Sequence, residues 1–392
     1  MPIESWVWRV SAGAGAMGIR NKEVSLPITD SLTQNVPIDS QSTVPILRVY
    51  RPTVEPKKIP GISVEAKLLH HRNHISGIAS GDFLPPVMVD IDPVDGVCNL
   101  DCAWCCQAQS RASRPARFMA LDTMRRLGPF CRNWGVKAWR ISGDSEPLLN
   151  HNIEILIQSG CEFGIDMGLI TNGVFLDRIK SFSSLTYVGV SLDATTASTW
   201  SQLKQSPPEG FERIIRNVKR IRQEYPDLDL CIKFVRFHSK TSLSKNQFSE
   251  AMTICDEGSA TPKDNLLEAE ELADFAKRLG CRPITRDAYP EGFSETYQFS
   301  KCHATPLGGV FDASHNFHLC CDARSIHVLT DDYTRDDWQE LPSLWGSDRH
   351  KRMIEGIKPQ NCAGCAKFKT NEILEHVVMM SDTSEKYQLN FI

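Results

Sequence analysis

The sequence predicts an α/β fold: a partial parallel (β/α)6 barrel with a small second domain appended at its C-terminal side. Three observations predict it. Up to about residue 285, apolar strand-like runs alternate with amphipathic helical stretches. A loop dense in cysteine follows the first of these runs. From Tyr297 the alternation fades, and Cys, His and Gly become frequent.

Residues 1–80 are rich in Ser, Pro, Val and Thr, with short β-like runs such as Ile46–Tyr50 and little helical periodicity. They read as an irregular or β-like extension that packs on the barrel or covers its mouth. Residues 81–296 hold six strand-like runs: Pro86–Ile91, Ala138–Ser142, Gly164–Ile170, Tyr187–Leu192, Leu228–Phe237 and Arg282–Thr285. Between them lie helical stretches at Leu121–Trp134, Asn152–Ser159, Val174–Phe182, Phe211–Glu224 and Asn265–Leu279. Gly280 reads as the C-terminal cap of the last. Strands separated by crossover helices make a parallel sheet, and its ligands bind at the carboxyl ends of the strands. Residues 297–392 form the second domain, with an acidic stretch at Asp331–Glu340 and a closing helix around Asn371–Met380.

The bulk numbers exclude several classes. The 44 basic and 48 acidic side chains leave a formal charge of −4, so there is no electrostatic case for a dedicated nucleic-acid binder. No apolar run reaches membrane-span length, and the first residues do not read as a signal peptide. Fourteen cysteines without a secretory signal point to metal or catalytic use in a reducing cytoplasm.

The most informative cysteines are Cys98, Cys102 and Cys105, in the loop Cys98-Asn-Leu-Asp-Cys102-Ala-Trp-Cys105. Three thiolates on one loop can hold three irons of a [4Fe–4S] cubane and leave the fourth iron open, whereas a fully held cubane takes four. Structural zinc sites also use Cys-x-x-Cys pairs but want four ligands, and buried thiols also serve as small hydrophobes. The spacing resembles that of the radical S-adenosylmethionine (radical SAM) superfamily, whose motif carries an aromatic residue before its last cysteine. Trp104 fills that place and favours Cys105 over Cys106 as the third ligand. The resemblance implies a TIM-like partial barrel, a [4Fe–4S] cluster and SAM bound at its open iron. It also implies reductive cleavage to a 5′-deoxyadenosyl radical that abstracts hydrogen from an unreactive carbon.

Further segments match the family in order. Gly143, Glu146 and Pro147 match its Gly-Gly-Glu-type segment, while Asp144 and Ser145 stand where small residues are usual. Thr171-Asn172-Gly173 closes the third strand, and Ser191-Leu192-Asp193 closes the fourth. The resemblance makes Trp104, Gly143, Ser145, Glu146, Asn172, Ser191 and Asp193 the SAM contacts. Read as residues alone, Asn-Gly is a turn and Ser191 or Asp193 a helix N-cap. Lys233 and Arg236 have opposite strand parity, so at most one faces inward; surface salt bridges are their expected fate, and a structural hydrogen bond that of His238.

The C-terminal part holds Cys302, Cys320-Cys321 and Cys362-Ala-Gly-Cys365 around a hairpin expected at Gly308–Leu319. This resembles the twitch and SPASM auxiliary-cluster domains of the same superfamily. It implies a second, fully held [4Fe–4S] cluster on Cys302, Cys320, Cys362 and Cys365, with a four-cysteine zinc site as the rival. Cys131, Cys161, Cys231, Cys255 and Cys281 are assigned to packing.

The expected function is radical SAM chemistry on a small polar substrate, a sugar, cyclitol or nucleoside, with an external electron donor such as flavodoxin or ferredoxin. A peptide or protein modifier is the second reading, and a non-catalytic zinc protein the third.

Overall fold

The computed structural model describes residues 63–102, 105, 107–236, 269–287, 297, 299–324, 326–362 and 365–382. Their elements belong to one unit, Ile59–Ile392. The readings that rest on Trp104, Cys106, His238, Cys255 and most of residues 1–80 lie outside the described residues.

The chain enters through two short helices, α1 (Val64–His70) and α2 (Arg72–Ser80). This corrects the irregular or β-like expectation for the end of the extension. Local chemistry explains it. Ser63 caps α1 by accepting from Ala66 N at 3.3 Å, and Gly81 ends α2 in the left-handed region at φ 78°.

The strand–helix alternation follows. In chain order the elements are β1 (Met88–Ile91), β2 (Val94–Asp95), α3 (Ala108–Ala112), β3 (Arg117–Phe118), α4 (Leu121–Trp134), β4 (Ala138–Ile141) and α5 (Ile153–Glu162). Then come β5 (Asp166–Thr171), β6 (Tyr187–Ser191), α6 (Ala197–Lys204), α7 (Glu209–Glu224), β7 (Asp229–Arg236), α8 (Ala269–Arg278) and β8 (Arg282–Asp287). All six predicted runs are strands, paired in parallel in the order β1-β4-β5-β6-β7-β8.

The helix expected over Val174–Phe182 is absent; two 3₁₀ turns, Leu176–Arg178 and Phe182–Ser184, take its place. Glu154 of α5 explains the break. Its carboxylate accepts from the backbone N–H groups of Lys180 and Ser181 and from Ser181 Oγ, and so removes donors that an α-helix would use. Leu176, Ile179 and Phe182, three residues apart, are all buried, the spacing that suits a 3₁₀ path.

Strand parity divides the sheet's two faces. Val89, Ile91, Trp139, Ile141, Met167, Leu169, Val188, Val190, Leu230, Ile232 and Phe234 are at most 1% exposed and form one core with Leu127 of α4, Leu156 of α5 and Ile214 of α7. The opposite face carries Asp90, Arg140, Gly168, Gly189 and Lys233. Gly168 is needed there: a Cβ would stand 2.1 Å from the Tyr187 ring. Lys233 lies along this face, since a Cβ on Gly189 would meet its Cδ at 3.2 Å.

The C-terminal hairpin forms as β9 (Gly308–Phe311) and β10 (Phe317–His318), with β11 (Val328–Thr330) beside it. It also does something the sequence did not announce. β9 pairs in parallel with β1, so the sheet has nine strands in the order β11-β10-β9-β1-β4-β5-β6-β7-β8. The two outer strands do not pair with each other, and the sheet stays open among the described residues. Phe311 and Phe317 pack edge-on at 4.8 Å and meet Trp134 of α4. Three helices follow among the described residues: α9 (Glu340–Leu344), α10 (Asp348–Glu355) and α11 (Phe368–Asp382). No helix of the described residues is long and apolar enough to cross a membrane.

Candidate active site

The cysteine loop leaves the carboxyl end of β1. Cys98, Cys102 and Cys105 are free, half-buried thiols. Leu100, 6% exposed, anchors the loop in the core, and Asp101 N donates to Lys204 O at 3.3 Å. Cys105 N bonds to Cys102 O at 3.0 Å, and Ala108 N to Cys105 O at 3.0 Å, a turn that feeds α3. Burial pushes the Cys98 thiol up to about 12 and raises Cys102 as well, while Lys204 pulls Cys102 the other way. As thiols they keep their protons at neutral pH; iron would replace those protons.

The donor set fits an iron–sulfur cluster. It offers three unpaired sulfurs on one loop, with Arg111 and Lys204 close enough to offset thiolate charge. Among the described residues no three His, Cys, Asp or Glu side chains gather around one ion. In a cubane each thiolate takes a different iron.

The next two strand ends are tied to that loop. After β4, Gly143 has φ 148°, and a Cβ there would stand 3.4 Å from Asp92 Cγ. Asp144 and Ser145 are buried: Ser145 Oγ donates to Asp144 Oδ1 at 2.8 Å and accepts from Val97 N at 3.2 Å. Glu146 is bonded to the end of β5. Its Oε1 accepts from Leu148 N at 3.1 Å and Thr171 Oγ1 at 2.5 Å, and its Oε2 from Asn172 N at 2.8 Å. Burial pushes its carboxyl up to about 7, against the pull of these bonds. Asn172 Nδ2 then donates to Asn99 Oδ1 at 2.8 Å, within the cysteine loop. Ser145, Glu146 and Asn172 are thus brought into one bonded layer with that loop, and Gly143 adjoins it in sequence.

Ser191 ends β6 in register with Lys233. Asp193 lies in the left-handed region at φ 64°. Its Oδ2 pairs with Lys204 Nζ at 2.5 Å, both residues at most 3% exposed, and its Oδ1 accepts from Val235 N at 2.7 Å. The N-cap of α6 is neither Ser191 nor Asp193 but Thr196, which accepts from Thr199 N at 3.2 Å.

The second cysteine group gathers beside β9 and β10. Cys302, Cys362 and Cys365 lie within electrostatic reach of one another, and Lys367 within reach of Cys302, Cys320 and Cys321. Asp322 ties the two halves together: its N–H donates to Cys320 Sγ at 3.4 Å and its Oδ2 accepts from Ala366 N at 2.8 Å. Cys321 is buried and feels Asp90 of β1. Arg324 joins this group to the sheet, with Nε 2.6 Å from Asp92 Oδ2 and Nη2 3.1 Å from Asp92 Oδ1. Beside it Asp90 holds Arg140 through Nε at 2.7 Å. Of the cysteines assigned to packing, Cys131, Cys231 and Cys281 are buried and Cys161 half-buried.

Sequence reasoning did not find Arg111, Lys204, Asp322 or Arg324. Arg111 carried a faint signal, a cation six residues past Cys105. The others are joined to their partners only by the fold.

The cysteine loop at the end of the first parallel strand is tied to the ends of β4 and β5, which gathers three thiols on the rim of the parallel sheet. The model of the radical SAM superfamily matches residues 94–235. Residues 94–235 thus form a radical SAM domain, and that domain implies a [4Fe–4S] cluster and SAM. A probable GTP 3′,8-cyclase of Pyrobaculum aerophilum is 27% identical over 132 residues, 33% of this chain and 42% of that protein. One of Methanocaldococcus jannaschii is 28% identical over 127 residues, 31% of this chain and 41% of that protein. The match therefore spans about two fifths of these relatives' length. Among solved structures, Streptococcus suis SuiB bound to precursor peptide SuiA is 17% identical, covering 76% of this chain and 73% of that one, with a TM-score of 0.46. BtrN in complex with AdoMet and 2-DOIA is 11% identical, covering 72% and 93%, with a TM-score of 0.36.

Proposed function

We propose that the chain cleaves SAM reductively at a [4Fe–4S] cluster held by Cys98, Cys102 and Cys105, and takes a hydrogen atom from a small polar substrate: a sugar, cyclitol or nucleoside. The substrate is then oxidised or rearranged. The observation that carries this reading is the bonded layer that joins the three-cysteine loop to Glu146 and Asn172 at the neighbouring strand ends. When bound, these groups supply one-electron chemistry able to break an unactivated C–H bond.

The chain's own residues place and shield that chemistry. Asn99, Glu146 and Asn172 hold three strand ends in fixed register, with Gly143, Ser145 and Ser191 on the same rim as SAM contacts. Trp104 completes the contact set proposed from the sequence. Asp193 acts by holding Lys204 behind Cys102. Lys233, on the face opposite the helices, supplies a cation suited to a carboxylate or phosphate. Similarity to proteins named probable GTP 3′,8-cyclase supports a nucleotide within the small polar class.

The domain assignment remains 81–296 for the barrel and 297–392 for a twitch-like part, with 1–80 as the extension. A second [4Fe–4S] cluster on Cys302, Cys320, Cys362 and Cys365 is proposed from the gathering of those thiols. An external donor such as flavodoxin or ferredoxin supplies the electron, and the compartment is the cytoplasm.

The test is anaerobic reconstitution followed by reduction with dithionite in the presence of SAM. The wild type should release 5′-deoxyadenosine and Cys102→Ala should release none. Release by the Cys102 variant, or a colourless protein that retains zinc at both cysteine groups, overturns the proposal. Mass spectrometry of mixtures containing GTP, other nucleosides, sugars or cyclitols then identifies the substrate.

A further inference from the structure

Asp144 and Ser145, the residues that depart from the family's small-residue pattern, hold the cysteine loop from both ends. Arg111 of α3 is 8% exposed. Its Nη1 stands 2.9 Å from the Asp144 carbonyl oxygen and 3.3 Å from Cys105 Sγ, so the two hydrogens of one nitrogen serve two acceptors. Arg114, just past α3, forms an ion pair with the Asp144 carboxylate. Ser145 Oγ links the other oxygen of that carboxylate to Val97 N, immediately before Cys98. The backbone just before Cys98 and, through Arg111, the Cys105 thiol are therefore tied to the same two residues.

We propose that Arg111 is a positioning residue for the third thiolate: it fixes Cys105 against residues 144–145 and raises the reduction potential of the cluster held there. The inference rests on the cluster reading above and adds to it a device of this chain's own. A guanidinium stays protonated and presents its donors in a rigid plane. A hydrogen bond from a buried cation to a ligating sulfur stabilises the more negative, reduced cluster more than the oxidised one, and hydrogen bonds to sulfur are among the factors that set such potentials. Lysine keeps the charge but cannot serve the sulfur and the carbonyl in one plane.

The experiment compares wild type, Arg111→Met and Arg111→Lys after anaerobic reconstitution. It reads iron per chain and the midpoint potential of the EPR signal that changes on adding SAM, which singles out the open-iron cluster. Arg111→Met should keep its iron and show at least a tenfold smaller reduction equilibrium constant, about 59 mV more negative for one electron. Arg111→Lys should fall between. A loaded Arg111→Met protein with the wild-type potential overturns the proposal. If the Met variant does not hold iron, a wild-type potential in the Lys variant overturns it instead. A wild type with no SAM-responsive cluster fails the underlying reading, and the proposal with it.

Discussion

Replacing Glu146 by Gln separates two effects that the fold superimposes. The wild-type carboxyl sits near pKa 7 because burial outweighs the three donors that it accepts from, against an ordinary value of 4.5. In the metal-free chain between those two values, the unfolded state has lost the proton and the folded state still holds it. The folded state binds more protons, so stability falls as pH rises through this window. A difference of about 2.5 units at 1.36 kcal/mol each gives a loss of about 3 kcal/mol between pH 4 and pH 8. Glutamine cannot ionise and lacks that slope. It does lose bonding at every pH: its one carbonyl oxygen can replace Oε1 toward Leu148 N and Thr171 Oγ1, but its NH₂ then faces Asn172 N, costing about 1–3 kcal/mol. Urea unfolding of the metal-free proteins should therefore show the variant weaker by about 1–3 kcal/mol near pH 4. The gap should close or reverse by pH 8. Parallel stability profiles for the two proteins across that range would refute the burial argument.

Other expectations follow from single features. Lys204→Met strips the partner from buried Asp193 and should destabilise the chain by about 3–5 kcal/mol in chemical denaturation; the double variant with Asp193→Asn should recover part of that loss. His350 is wholly buried, and burial pushes its pKa down to about 4, so it folds neutral. The stability it retains above pH 6.5 should drain by up to about 3 kcal/mol as pH falls toward 4, and the slope should flatten in His350→Gln when unfolding is followed by fluorescence. Cys365→Ala should retain 5′-deoxyadenosine release while losing product, with lower iron per chain by colorimetric assay; full product formation would argue against a second cluster.

Much of the barrel was readable because parallel strands buried on one face by helices leave apolar runs of fixed length between amphipathic stretches. Leu121–Trp134 coincides with α4 to the residue, since its apolar positions recur at helical spacing and Gly135 ends it at φ 113°. The helix missed at Val174–Phe182 shows the opposite case. Its donors were taken by Glu154, more than twenty residues earlier in sequence, and no local pattern could disclose that. The same reason hid the pairing of β9 with β1: Gly308-Gly-Val-Phe311 is too short to choose a neighbour by its own preferences. At the site, residue identity and order marked Cys98, Cys102 and Cys105, Glu146 and Asn172. What each carboxylate bonds to was not written locally. Asp193 reaches Lys204 across helix α6, and Asp92 reaches Arg324 from the far end of the chain.

The seat of β9 beside β1 has a consequence for assembly. The strand that bears the cysteine loop has a neighbour on one side from the early part of the chain and on the other only from residues past 307. Until those residues emerge from the ribosome, β1 presents bare amide and carbonyl groups along one border, where a stray strand could dock. The part of the polypeptide from Gly308 onward thus acts as a clasp over the birthplace of the cysteine loop. A fragment cut off before it should aggregate rather than stand alone as a smaller catalyst.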